Sequence, residues 1–165
     1  MNEIADLRRM LLRELASFKQ EVNLFPDDDL LWVAPGGITN SVGNLALHVA
    51  GNLRHFVGAV LGNSGYVRNR DAEFNTRGLD RTAVLWELDA AIAEVASTLG
   101  AFDPARMDQP YPLQVGGITV STRRFLIHLA THLAWHLGQA GYLRRILTGQ
   151  NISAGAVPVP ALAEP

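Results

Sequence analysis

The stretch STRRFLIHLATHLAWHLGQAGYLRRILT, from Ser121 to Thr148, carries three of the chain's five histidines and no proline. Ser121 or Thr122 offers an N-cap oxygen and Gly149 stands where a helix is expected to stop, so the stretch predicts one long helix. His128, His132 and His136 recur every four residues. Each such step turns a helical side chain by only about 40° and raises it by about 6 Å, which stacks the imidazoles as a ladder on one face. Phe125, Gln139 and Leu143 extend that face. Beside it, Leu126, Leu129, Leu133, Leu137 and Ala140 predict a buried seam. Ala130, Ala134, Gly138 and Gly141 form a third line, small enough to admit a close neighbouring helix.

Two neutral imidazoles one turn apart can hold a divalent cation if a partner helix completes the coordination shell. One ion cannot use the whole ladder. His128 and His136 are about 12 Å apart along the axis, whereas a ligand nitrogen must come within about 2.1 Å of a zinc-like ion. Either His128 with His132, or His132 with His136, is then the metal pair. A lone histidine here would read as a core residue bonded to a backbone carbonyl; a ladder bordering a seam reads as a metal site. The HExxH protease signature is absent, because Leu129 and Leu133 occupy the positions of its glutamate.

Outward from the ladder, the natural donor of a third ligand is a helix expected from Thr39–Ser41 to about Leu61, with Val42, Leu45, Val49, Leu53, Phe56 and Val60 apolar. His48, Asn52 and His55 share an adjoining face of it. His48 and His55 differ by about 10 Å in height, so only one of them reaches a given ion. A first helix runs from about Glu3 to Leu24 on Ile4, Leu7, Leu11, Leu15, Phe18 and Val22. A third runs from about Arg81 to Leu99, with Leu85, Leu88, Ile92, Val95 and Leu99 inside. Between the first two, Trp32 to Gly37 reads as a loop whose tryptophan plugs a bundle end. The connection from Asn63 to Asp80 is long enough, at about 3.3 Å per extended residue, to run the length of a helix and act as a crossover. Its charges Arg68, Arg70, Asp71 and Glu73 read as a surface network anchoring the loop. Ala101 to Val120 is a second long connection, in which Gln114–Val120 could form a small hairpin. The expected organisation is a single domain over residues 1–149 and an extended or disordered tail over 150–165.

Composition narrows the function. The chain has 165 residues, 48% hydrophobic and 18% charged, an ordinary balance for one globular domain. A net charge of −2 argues against nucleic acid as a partner. The opening MNEIADLRRM resembles neither a signal peptide nor a membrane span, which leaves a cytoplasmic protein without a membrane role as the expectation. With no cysteine, the chain has no disulfide, thiolate zinc site or protein thiol nucleophile. Any metal is held by nitrogen and oxygen, and any thiol chemistry uses an imported thiol.

With NLALHVAGNLRHF around His48, RNRDAEF at Arg68–Phe74, and HLAWHLGQ at His132–Gln139 followed by Arg144-Arg145, the chain resembles the DinB-like (YfiT-like) family of metal-binding four-helix-bundle proteins. The matching features span roughly Trp32 to Leu147. The resemblance implies an all-α, up-down-down-up four-helix bundle with two long connections, and frequently a homodimer. Carried over by position, the family's metal ligands fall on His48, His132 and His136. Gln139 becomes a neighbour of the site and His128 an extra, with Asn52 and His55 as further second-sphere candidates.

Relatives of this kind include thiol-dependent enzymes, among them the mycothiol-dependent maleylpyruvate isomerase and bacillithiol S-transferases. The resemblance therefore implies a divalent ion (zinc, nickel, iron or manganese) that activates a low-molecular-weight thiol for S-transfer to, or isomerisation of, a small-molecule substrate. The alternatives are hydrolysis by metal-bound hydroxide and a non-enzymatic, stress-linked metal-binding bundle. No carboxylate stands out as a general base. Arg54, Arg144 and Arg145 could hold an anion, although helix-end arginines are more often solvated or dipole-stabilising. Thr131, Trp135 and Tyr142 face away from the ladder and suggest the homodimer contact.

Overall fold

The computed structural model describes residues 3–154. Four long helices and one short one are formed among the described residues. α1 spans Glu3–Asn23. α2 starts as Val42–Leu53, widens into a π-helical turn at Arg54–Ala59 and ends at Val60–Gly62. α3 is the short helix Arg70–Asn75, α4 is Arg81–Gly100 and α5 is Thr122–Thr148. No strand forms among the described residues, and no helix is long and apolar enough to cross a membrane.

Local chemistry sets the helix ends. Ser41, Asn69, Asp80 and Ser121 each accept a hydrogen bond from the backbone N–H three residues on, supplying N-caps to α2, α3, α4 and α5. Ser121 rather than Thr122 is thus the cap of the long helix, and Gly149 ends it in the left-handed conformation, φ 67°.

Pairs between the helices give their directions. Arg123 pairs with Glu3 at one end of α1 and α5, and Arg144 with Glu21 at the other, so these helices are parallel. Lys19 pairs with Asp89 while Arg8 lies against Gly100, so α1 and α4 are antiparallel. Arg54 pairs with Glu87 and Glu94, and farther along both helices Gly62 meets Thr98, which makes α2 and α4 parallel. The Phe56 ring lies on Phe125 and the His48 ring between His132 and His136, which makes α2 and α5 antiparallel. The bundle is therefore up-down-down-up, and the stretches before α4 and before α5 are its long connections.

One apolar core runs through the bundle, built from Leu11, Leu15, Phe18 and Val22 of α1, Val49 and Leu53 of α2, Leu88 and Val95 of α4, and Leu126, Leu129 and Leu133 of α5. On α4 the buried line is Val84, Leu88, Ala91, Val95 and Leu99; Leu85 and Ile92 flank it, half-buried. Trp32 ends a 3-10 turn, Asp29–Trp32, and its indole N–H donates to Leu79 O, tying the α1–α2 connection to the residues before α4.

Several expectations are corrected. The crossover is not a plain loop, because α3 forms inside it. The hairpin expected at Gln114–Val120 shrinks to a bridge between Val115 and Ile118 around Gly116-Gly117, whose positive φ values of 60° and 79° make the turn. Of the small-residue line on α5, Ala134 and Gly138 face solvent, Ala130 packs half-buried against the core, and Gly141 meets α1 closely at Glu21. The helix-end arginines are not simply solvated. Arg144 is fully buried, and Arg54 is held by two glutamates under the Tyr66 ring. Of the tail, residues 150–154 are pinned as coil: Arg144 donates to Gln150 Oε1 and Ile152 O, and Ala154 N–H donates to Glu21 Oε1. The expectation for residues 155–165 lies outside the described residues.

Candidate metal centre

The second half of the ladder meets α2. Because α2 and α5 are antiparallel neighbours, His48 enters between His132 and His136, with ring centroids 5.2 and 5.1 Å away. The Nε2 atoms converge: His132 Nε2 lies 3.4 Å from that of His48 and 3.1 Å from that of His136. One ligand nitrogen from each of the three residues fits within a 4.8 Å span. Bonds of about 2.1 Å at the tetrahedral angle would set ligand nitrogens about 3.4 Å apart, so the three imidazoles are spaced to share one ion. His48 is buried and the other two are half-buried, which leaves one side of the group open.

The rear nitrogens of His48 and His136 are engaged from behind. His136 Nδ1 is 2.7 Å from Gln139 Oε1 on the next turn of α5, and His48 Nδ1 is 2.9 Å from Glu73 Oε2. Partners of this kind orient metal-binding imidazoles and select their tautomer. Phe74 lies against the His48 ring at 4.8 Å and the exposed Trp135 stacks on His136 at 5.8 Å.

Electrostatics keep the group ready for a cation. The His132 pKa is pushed down to about 4, chiefly by burial and then by His136 and His48 beside it. Burial also lowers that of His136, against the opposing hydrogen bond that its Nδ1 gives to Gln139 Oε1. Both rings are thus neutral at pH 7, as metal ligands must be. Burial alone would raise the Glu73 pKa, but hydrogen bonds from Arg68 and His48 outweigh it and the carboxyl is held below its usual range.

Glu73 departs from its sequence expectation. It and Arg68 are not a surface network: Glu73 is 5% exposed, and Arg68 clamps both its oxygens, at 2.6 and 2.8 Å, beneath His48. Only the RNRDAEF segment hinted at this, and its role depends on the crossover folding back onto α2.

The remaining candidates fall outside the group. His128 stacks on Phe125 and is 5.9 Å, centroid to centroid, from His132, one turn too far up the ladder. His55 lies against Phe56 in the π-helical turn, separated from His48 by the rise of two turns. Asn52 is buried, and among the described residues it makes no hydrogen bond to the three imidazoles.

A divalent ion suits this donor set, which has three imidazole nitrogens, no thiolate, and no fourth protein ligand among the described residues. No individually curated protein matches the chain. A family model described as the DinB superfamily matches residues 10–140, the region that contains all three imidazoles. With an up-down-down-up bundle and a histidine group of this geometry, the chain belongs to the DinB superfamily.

Proposed function

We propose that the protein is a metal-dependent enzyme in which His48, His132 and His136 hold one divalent ion and an exogenous low-molecular-weight thiol is activated for S-transfer to, or isomerisation of, a small electrophilic substrate. The observation that carries this reading is the three-imidazole group with an open side and no fourth protein ligand among the described residues. Structural metal sites close their coordination sphere, whereas catalytic sites keep a position free. The absence of cysteine from the chain means that a thiol nucleophile has to be imported, and the resemblance to thiol-using enzymes points the same way. When bound, the ion would supply the positive charge that lowers the pKa of a thiol.

The chain's own residues prepare that chemistry. His132 and His136 stay unprotonated at neutral pH, and Gln139 and Glu73 hold the rear nitrogens of His136 and His48. Gln139 also lines a cavity of about 390 Å³ between the α2 N-terminus and the end of α5. Ile38, Leu45, Tyr142 and Leu143 supply its apolar wall. The cavity joins the centre only through Gln139, on the Nδ1 side of His136, and would take an uncharged part of a substrate there. The reading places the activity in the cytoplasm, in a homodimer, with neither nucleic acid nor membrane as partner.

The test is to load the protein separately with zinc, nickel, manganese or iron(II), supply glutathione, bacillithiol or mycothiol, and offer chlorodinitrobenzene, monochlorobimane or maleylpyruvate. Turnover that requires both metal and thiol, and falls to background in His132→Ala, is the expected result. Thiol-independent ester or amide hydrolysis would replace this reading with a metal-dependent hydrolase. No turnover, together with no thiol-induced change in the spectrum of a cobalt-loaded site, would leave a non-enzymatic metal-binding bundle.

A further inference from the structure

The residues behind His48 form a built device that reaches the centre from the crossover. α2 presents Asn44, His48 and Gly51, spaced i, i+4 and i+7 on one face, and α3 docks on that face. Asn44 Nδ2 donates to Glu73 O at 3.0 Å and to Thr76 O at 3.1 Å, holding both the middle and the end of α3. Gly51 makes room for the carboxylate: a Cβ there would stand 3.0 Å from Glu73 Cδ and overlap Oε1. Arg68 then donates from Nε to Oε1 at 2.6 Å and from Nη2 to Oε2 at 2.8 Å.

This geometry decides where the proton of a neutral His48 lies. A carboxylate forked by a guanidinium is ionised and can only accept hydrogen bonds. Its Oε2 is 2.9 Å from His48 Nδ1, so Nδ1 must be the nitrogen that carries hydrogen. Arg68 Nη2 also approaches Nδ1, but at 3.5 Å, the outer edge of hydrogen-bond range, and the nearer carboxylate prevails. With hydrogen on Nδ1, the lone pair is on Nε2, the atom that points at His132 Nε2.

We propose that Glu73, clamped by Arg68 and admitted by Gly51, is a positioning residue that fixes the His48 proton on Nδ1 and so presents Nε2 to the metal. The proposal rests on the metal-site reading above. It assigns the crossover a part in the centre, because removing α3 from α2 would free His48 to take the Nε2–H form that unconstrained histidine favours, in which the facing nitrogen is blocked.

The test has two readouts on the full-length chain. Long-range 1H–15N NMR of the metal-free protein reports the His48 tautomer, and competition with a chromophoric chelator reports zinc affinity. Wild-type His48 is expected in the Nδ1–H form. Glu73→Leu and Gly51→Ala should both populate the Nε2–H form and weaken zinc binding about 10–100-fold, the range for lost outer-sphere partners. Glu73→Gln keeps an acceptor oxygen, so it should keep the Nδ1–H tautomer and lose less affinity. Gly51→Ala removes no polar group and carries the test if Glu73→Leu does not fold. The proposal is overturned if wild-type His48 is Nε2–H. It is equally overturned if a folded Glu73→Leu or Gly51→Ala protein binds zinc more weakly with His48 still Nδ1–H, or retains both tautomer and affinity. Failure of the wild type to bind any divalent ion would instead remove the metal-site reading, an outcome the tautomer measurement separates from the others.

Discussion

His132 is the imidazole that both helices share, since it stands 3.4 Å from the His48 nitrogen and 3.1 Å from that of His136. Alanine at His48, His132 or His136 should strip the ion, while His128→Ala should retain it, as read by elemental analysis of purified protein. A result in which His128 is required and His136 dispensable would move the site to the first half of the ladder. Acidity gives an independent check at the same residue. The His132 pKa falls from 6.5 to about 4 on folding, mainly through burial. Between those values the unfolded chain binds a proton that the folded chain refuses, so stability rises with pH across this window and is lost as pH falls through it. Lowering the pH of the metal-free protein from about 6.5 toward 4 should therefore lower its melting temperature, and His132→Asn should flatten that dependence. An equal slope in the variant would show that other groups govern acid lability. Metal affinity should fall across the same window, as protons compete for the ligand nitrogens, with the His132 nitrogen protonated only as the pH approaches about 4.

Among the elements, α1 and α5 are joined by an ion pair in a dry place. Arg144 is fully buried and its Nε donates to Glu21 Oε2 at 2.5 Å. The rest of the guanidinium is spent on Gln150 and on the Ile152 carbonyl, which ties the end of the described chain to the bundle. Removing one member strands the other as an uncompensated buried charge, whereas removing both does not. Arg144→Met should cost about 3–5 kcal/mol in denaturant unfolding, and the double variant Arg144→Met/Glu21→Met distinctly less. If the single and double variants are equally stable, the pair is not the element that joins these helices. The π-helical turn of α2 has its own brace. Tyr111 donates its hydroxyl to Phe56 O at 2.6 Å within that turn, where the regular helical ladder of bonds is interrupted. Burial raises the Tyr111 pKa, so the phenol keeps the hydrogen it donates.

At the scale of the molecule, the other long helices bury one face of α5 and leave another uncovered. Ile127, Trp135, Tyr142 and Ile146 lie along it, with Trp135 65% and Tyr142 70% exposed. Large aromatic side chains left in water on one helix face are the kind of patch that marks a protein contact. We propose that a second copy of the chain covers it. Light scattering at micromolar concentration should report twice 17.9 kDa, and Trp135→Glu should return the 17.9 kDa species. A wild-type monomer at that concentration would end the idea.

Helix positions were legible because they are local properties. Ser121 and Gly149 mark the ends of α5 through cap chemistry, and the four-residue spacing of His128, His132 and His136 stacks them whatever the rest of the chain does. The up-down-down-up bundle was implied by the resemblance to the DinB-like family, and two connections long enough to cross over agree with it. Which pair of the ladder meets a partner was not legible from spacing, since both pairs have identical geometry; the height at which α5 packs against α2 selects His132 and His136. Glu73, in a charged segment, and Arg144, near a helix end, both read as solvated until their surroundings are known, and those surroundings are distant in the chain: His48 for Glu73, and Glu21, 123 positions away, for Arg144. Periodicity states which face of an element is apolar; only the docking of elements states which polar groups that face will enclose and pair.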